Sequence, residues 1–330
     1  MRELTMQEAV MEAIAEEMRR DAMVFMMGQT VSEWDDHYNP GVSQLNKEFG
    51  RQRLRPTGII EKFQAGAGVG AALAGARPII DLSTAAFGVL AYDEIFAKAG
   101  LWMYEHGRNG GMAMPVVFRA PYTSYGSSGA EHSRSPLATY THGIGFKVVV
   151  PSTPHDAKGL MKTAIRDDNP VVFMEPRPLA RVRGPLPEEE YLLPYGEAVV
   201  RREGTDCTVV AVGYQVRMAL EAAEALASQG ISVEVIDPRT LVPLDIATIV
   251  GSVRKTGRLV ETDEDFIRCG LGAEVGFQVQ EMAFDALKAP MQRVAPRAPS
   301  PASPVLNREV MPSPEKIAEA VKRAVYYQAR

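Results

Sequence analysis

Short valine- and isoleucine-rich runs alternate along this chain with stretches whose apolar residues recur at helical spacing, and few folds accept both. "MVFMMG", "ARPIIDLS", "MPVVFRAP", "FKVVVPS" and "NPVVFMEP" read as strands buried on both faces. Between them lie helical patterns at 6–20, 86–106 and 154–167. The first opens on Thr5 with Glu8 three residues on, the form of a capping box, and then carries Ala9, Val10, Ala13, Ile14 and Met18 on one face. Alternation of this kind predicts an α/β fold with mostly parallel sheets flanked by helices.

Around 176–205 the texture changes to proline-rich, charged sequence that reads as a connector. The rhythm then restarts: "DCTVVAVG", "SVEVIDP" and "GRLVET" as strands, with helices at 215–229, 245–255, 271–287 and 314–328. Ser313-Pro314 matches a cap followed by proline at the first helical position. The division is into two domains, 1–185 and 205–330, with 186–204 as linker. A chain of 330 residues, 46% hydrophobic, is long for one core and ample for two.

Net charge is −5, with pI near 5.7 and no basic block, so the footprint of a nucleic-acid binder is missing. No apolar run approaches the ~20 residues needed to cross a bilayer, and "MRELTMQEAVMEAIAEEMRR" has the form of neither a secretory signal nor a transit peptide. The expectation is a cytoplasmic soluble protein with no membrane partner. Cys207 and Cys269 are read as reduced core thiols rather than a disulfide or a zinc site.

One stretch raises a chemical question. "GIIEKFQAGAGVGAALAG", residues 58–75, puts Glu61 ahead of a run of alanine and glycine. An acid at a helix N-terminus is commonly dipole compensation, worth a few tenths to about 1 kcal/mol, but between Ile60 and Phe63 a carboxylate is expensive to bury alone. Gly66, Gly68 and Gly70 lack the preceding apolar strand of a dinucleotide fingerprint. Instead Gly66, Ala67, Gly70, Ala71, Ala74 and Gly75 make a small-residue helix face that lets another backbone approach, from within the layer or from a second subunit. No "GK[ST]" and no "GxSxG" occurs. His132, in the loop "PYTSYGSSGAEHSRS", and His142 close behind it are candidates for catalytic or structural roles; His37, His106 and His155 read as surface residues.

Taken together, "TGIIEKFQAGAGVGAALAGARPII", "GAEHS", "PSTPHDAKGLMKTAIRDDNPVVFMEP" and "VIDPRTLVPLDIATIVGSVRKTGRLV" resemble the beta subunit of the thiamin diphosphate-dependent 2-oxo acid dehydrogenases, within the transketolase-like superfamily. The likeness covers nearly the whole chain. It implies a pyrimidine-binding domain followed by a transketolase C-terminal-like domain, and oxidative decarboxylation of a 2-oxo acid with acyl transfer to lipoyl. It implies further that Glu61 hydrogen-bonds the ring nitrogen of the cofactor's aminopyrimidine as a general acid–base group. Phe87 falls where the family places an aromatic residue against the pyrimidine, Ser83 where a methionine often contacts the cofactor, and His132 at the histidine near the substrate and lipoyl entry. A potassium ion would be held by Asp167, Asn169 and the carbonyl of Ala164.

The family's magnesium and diphosphate motif, "GDG" followed by asparagines, lies on a different chain and is missing from this one. The implied protein is therefore an α2β2 heterotetramer in which Mg2+ is held mainly by an alpha subunit, with a lipoyl acyltransferase core as a further partner. Departures from the family pattern fall at Gln29, which replaces a glutamate linked to the tetramer interior, and at "TGIIE" for "TPISE", Ser83 and Ala85. They leave the substrate open. An acetoin dehydrogenase beta subunit or another split transketolase-like, ketol-cleaving enzyme is the alternative, with Arg134 a hint of an anionic group. A non-catalytic assembly subunit would be expected to lose the cofactor glutamate, which this chain keeps.

Overall fold

The structure, a computed structural model, describes residues 2–106, 112–122 and 125–328. The chain forms two compact units. One is built from the chain up to Tyr122 and from His142–Tyr195, the other from the segment between them and from Gly196 onward.

In the first unit the apolar runs become parallel strands in the spatial order Lys147–Val149, Val171–Phe173, Val117–Arg119, Arg77–Asp81, Val24–Gly28 and Leu54–Pro56. Most of their residues are buried, as expected of a sheet covered on both faces. Helix Met6–Arg20 starts on the expected capping box, with Glu8 N–H donating to Thr5 Oγ1 and Thr5 N–H donating to Glu8 Oε2 at 2.7 Å. It packs on helix Pro154–Arg166 through buried ammonium groups: Lys158 Nζ lies 2.7 Å from Glu16, and Lys162 Nζ 3.3 Å from Glu17.

Two expectations need correction. Residues 86–106 are not one α-helix but a 3-10 helix Ala85–Ala91, a π-helical stretch Asp93–Ala99 and a short α-helix Trp102–His106. Close packing accompanies the break at Gly100, where a Cβ would lie 2.4 Å from the Ile144 carbonyl oxygen. The proline-rich stretch around 176–205 is likewise not a bare connector. Arg183–Leu186 pairs antiparallel with Arg2–Thr5, and Val199–Arg202 joins the second sheet as an antiparallel edge strand with a register shift. Edge positions tolerate proline because half their amides need no ladder partner, which is why the composition hid them.

The second unit holds a five-stranded sheet in the order Gln292–Val294, Leu259–Thr262, Cys207–Ala211, Val233–Asp237 and Val199–Arg202. Helices Gln215–Ala227, Ile246–Thr256, Leu271–Ala283 and Pro314–Val325 accompany it. Ser313 caps the last helix through Lys316 N–H, with Pro314 at its first turn as the sequence indicates. Cys207 is buried among Val209, Val235 and Leu226, and burial pushes its thiol up to about 12. Cys269 is exposed, so only one of the two thiols belongs to a core.

Candidate active site

Strand Leu54–Pro56 ends where residues 57–60 turn into helix Glu61–Leu73, at the carboxyl edge of the first sheet. The turn is fixed by its own polar groups. Thr57 N–H donates to the Gly28 carbonyl at 2.9 Å, and Gln64 Nε2 donates back to Thr57 Oγ1 at 2.8 Å and to the Gly58 carbonyl at 3.0 Å. The helix then packs against Ala85–Ala91 and Asp93–Ala99. Its inner face comprises Glu61, Gln64, Ala65, Gly68, Val69 and Ala72. Gly68 is the glycine this packing requires, since a Cβ there would lie 2.5 Å from Ile80 Cγ1. The small-residue face named from the sequence looks the other way: around Gly70 nothing lies within 4 Å.

Glu61 is 5% exposed, yet its carboxylate makes no hydrogen bond or ion pair with any described residue. Its neighbours in sequence show the opposite imbalance, with Ile59 77%, Ile60 57% and Phe63 56% exposed. Gln64 Oε1, on the same helix face, is also buried without a partner among the described residues. An unpaired acceptor on a nearly buried residue, with exposed apolar side chains beside it in the chain, suits a ligand with polar N–H edges and an apolar face. An aminopyrimidine has both, so the residues present fit that group.

Phe87 is half-buried on the 3-10 turn that packs against the Glu61 helix, so the fold brings these two elements together. Ser83 follows strand Arg77–Asp81 in a left-handed conformation (φ 59°). Its amide donates to Asp81 Oδ1 at 2.7 Å, and its carbonyl accepts from Arg177. Ala85, fully buried, begins the same turn. Ser83 faces a cavity of about 410 Å³ lined also by Asn39, Asp81, Arg119, Glu175 and Arg177, whereas Glu61 and Phe87 do not line it.

The floor of that cavity is a buried charge network that the sequence reading missed. Arg119 donates to Asp81 at 2.6 Å, to Asn39 Oδ1 at 2.9 Å and to both carboxylate oxygens of Glu175. Burial opposes the guanidinium charge, but Glu175 and Asp81 outweigh it and hold Arg119 firmly ionised, while burial pushes the Glu175 carboxyl up. The signal was present in the sequence: single charged residues close the apolar runs "PIID", "VVFR" and "VVFME".

Ala164, Asp167 and Asn169 lie between the end of helix Pro154–Arg166 and strand Val171–Phe173, at the amino edge of the same sheet and opposite Glu61. Asp167 is already satisfied. Oδ1 accepts from the Asn169 amide and side chain at 2.9 and 3.1 Å, Oδ2 lies 2.7 Å from Lys147 Nζ, and its carbonyl accepts from Arg77 at 2.7 Å. Both oxygens of the Asp167 carboxylate are thus engaged, and the Ala164 carbonyl accepts the Asp167 amide at 3.4 Å. Gln29 Oε1 is buried without a partner among the described residues.

In the second unit, His132 ends the short helix Gly129–His132 and is half-exposed, with Glu131 Oε2 3.8 Å from Nδ1. Thr123 and Ser124 of its loop lie outside the described residues. A cavity of about 310 Å³ beside this helix is lined by Arg134, Ser135, Glu264 and Asp265. His37 and His106 are exposed as expected, and His142, a candidate for a catalytic or structural role, is exposed as well. His155 is not a free surface residue, since it stacks on Tyr191 with ring centroids 4.6 Å apart.

Known proteins place this geometry. Residues 2–183 match the transketolase pyrimidine binding domain and residues 196–317 the transketolase C-terminal domain. A solved split-gene transketolase, described as an inactive beta4 tetramer, shares the fold with a TM-score of 0.79 at 23% identity over 98% of both chains. Fold and matches define a two-domain protein of the transketolase type.

Three curated relatives narrow the class. The pyruvate dehydrogenase E1 component subunit beta of Rickettsia felis is 42% identical, across 98% of this chain and 99% of the relative. That of Rhizobium meliloti is 41% identical over 98% of this chain and 70% of the relative. The beta subunit of an acetoin:2,6-dichlorophenolindophenol oxidoreductase from Cupriavidus necator is 40% identical over 98% of both. The chain belongs to the family of E1-type dehydrogenase beta subunits.

Proposed function

We propose that this chain is the beta subunit of a 2-oxo acid dehydrogenase E1 component and supplies the pyrimidine-side half of a thiamin diphosphate site shared with an alpha subunit. The observation that carries this reading is Glu61, buried and without a partner among the described residues at the head of its helix, with Ile59, Ile60 and Phe63 exposed beside it in the chain. Thiamin diphosphate, when bound, supplies the electron sink for breaking the bond beside a substrate carbonyl. Glu61 holds the aminopyrimidine and carries the proton at its ring nitrogen, in a slot where these apolar side chains exclude water. Phe87 packs against the ring, and Ser83 shapes the wall beyond it. His132 steadies negative charge near the substrate or assists acyl transfer to lipoyl.

The pyrimidine-binding and C-terminal domains are those read as 1–185 and 205–330, with strand Val199–Arg202 counted to the second domain rather than to a linker. Mg2+ and the diphosphate belong to the alpha subunit, consistent with the lack of a "GDG" here. The assembly is α2β2, docked to a lipoyl acyltransferase core in the cytoplasm. Potassium, where it binds, is held by Asp167, Asn169 and the carbonyl of Ala164. The acetoin oxidoreductase at 40% identity supports a second reading, in which the substrate is a ketol.

Calorimetric titration of thiamin diphosphate with Mg2+ into the chain alone, and into its complex with the alpha subunit, tests the proposal. Binding confined to the complex, with turnover of pyruvate, a branched 2-oxo acid or acetoin, upholds it and names the substrate class. Tight binding by the chain alone, or none by either sample, overturns it.

A further inference from the structure

We infer that Asp265 is a positioning residue: its carboxylate holds segment 129–138, and so fixes where His132 stands. The inference rests on the role proposed for His132. Asp265 lies three residues past strand Leu259–Thr262, which is paired on both sides within the five-stranded sheet and makes a rigid platform. Its Oδ2 accepts the Ala138 amide at 2.7 Å, while Oδ1 accepts from Phe266 N–H at 2.6 Å. The Asp265 amide in turn donates to Asp263 Oδ1 at 2.6 Å. Ala138 is the second residue of helix Leu137–Thr141, where amides have no partner within the helix, so the carboxylate caps that helix from another element.

The side chains of Leu137 and Tyr140 seat the same segment by full burial. It also borders the 310 Å³ cavity, where Ser135 Oγ is buried without a hydrogen-bond partner among the described residues. The upstream end is held separately, where Tyr125 Oη donates to the Pro312 carbonyl at 2.9 Å and accepts from Gln215 at 2.7 Å. Between these anchors the Ser128 amide donates to Ser133 Oγ at 2.9 Å, so His132 sits on a short helix tied downstream by Asp265 as well as by the buried Leu137 and Tyr140. Burial pushes the Asp265 carboxyl up, and the Ala138 and Phe266 amides together with Arg134 counter it.

The test uses the complex with the alpha subunit and compares Asp265→Ala, Asp265→Asn, His132→Gln and the Asp265→Ala/His132→Gln double variant. Readouts are kcat and KM with dichlorophenolindophenol as acceptor, acyl transfer to a lipoyl domain, and hydrogen exchange at 129–141. Asp265→Ala is expected to lower turnover or acyl transfer roughly tenfold or more, with KM little changed. Asp265→Asn, which keeps an acceptor for Ala138, restores most of it. The double variant falls no further than His132→Gln.

Three results overturn the inference: Asp265→Ala with wild-type activity while His132→Gln is impaired, losses that multiply in the double variant, or unchanged exchange at Ala138. If His132→Gln is fully active, the role given to His132 fails. The exchange experiment then judges Asp265 alone, loss of protection across 129–138 upholding its hold on the segment and unchanged protection overturning it.

Discussion

Arg119 lies 2.6 Å from Asp81 in the interior of the first unit, and the same guanidinium also grips Glu175, so one cation serves two buried carboxylates, one at the end of the strand on one side of its own and one just past the strand on the other. Removing it strands both acids. Arg119→Met is expected to destabilise the fold by about 3–5 kcal/mol, the usual cost of leaving a buried charge uncompensated. Urea denaturation of the isolated chain measures this, and a midpoint close to wild type would show that the acids take up protons without penalty.

Glu61 behaves differently because it has no partner to lose. Glu61→Gln is expected to leave thermal stability unchanged or slightly higher, since an unpaired buried carboxylate is removed. Turnover of the complex should fall by roughly 10²–10⁴, the range of general acid–base contributions. Melting and steady-state assays on one preparation separate the two effects, and a variant that turns over normally would remove Glu61 from the chemistry.

Two glycines on one helix should respond in opposite ways. Gly68→Ala forces a Cβ to within 2.5 Å of Ile80 and is expected to cost about 1–3 kcal/mol. Gly70→Ala meets nothing within 4 Å, and should stabilise the isolated chain by up to about 1 kcal/mol through helix propensity. If the Gly70 face seats a partner backbone, the same substitution weakens assembly with the alpha subunit. Paired melting and sedimentation experiments distinguish these outcomes.

The second unit carries a pH dependence of predictable sign. Glu261 and Asp263 stand on one face of the strand and its continuation. Burial pushes Glu261 well above the usual carboxylate range and Asp263 up to about 7, each aggravated by neighbouring acids. A carboxyl raised in the folded state keeps a proton that the unfolded chain releases near pH ~4. Its contribution to stability is therefore complete below about pH 4 and is lost as the pH climbs toward 7. Denaturation midpoints between pH 4 and 8 should decline, and Glu261→Gln should flatten the slope; an unchanged slope would place the burden on Asp263.

What the sequence determined by itself was whatever depends on short-range pattern. The Thr5–Glu8 capping box, the strands from Val24–Gly28 to Val171–Phe173 and the Ser313-Pro314 start each rest on residues a few positions apart, and each stands where expected. Family resemblance added Glu61, Phe87, Ser83 and His132 as candidates, but not their surroundings. Only the tertiary structure decided that Glu61 is buried without a partner, that Asp167 is already neutralised by Lys147, and that Arg119 gathers Asp81, Glu175 and Asn39 from distant parts of the chain. It also broke the expected helix at 86–106 and found strands in the proline-rich stretch. The reason is common to all of these. Desolvation, charge pairing and close backbone approach depend on which segments meet in space, and a sequence read along its length records only which residues are neighbours in the chain.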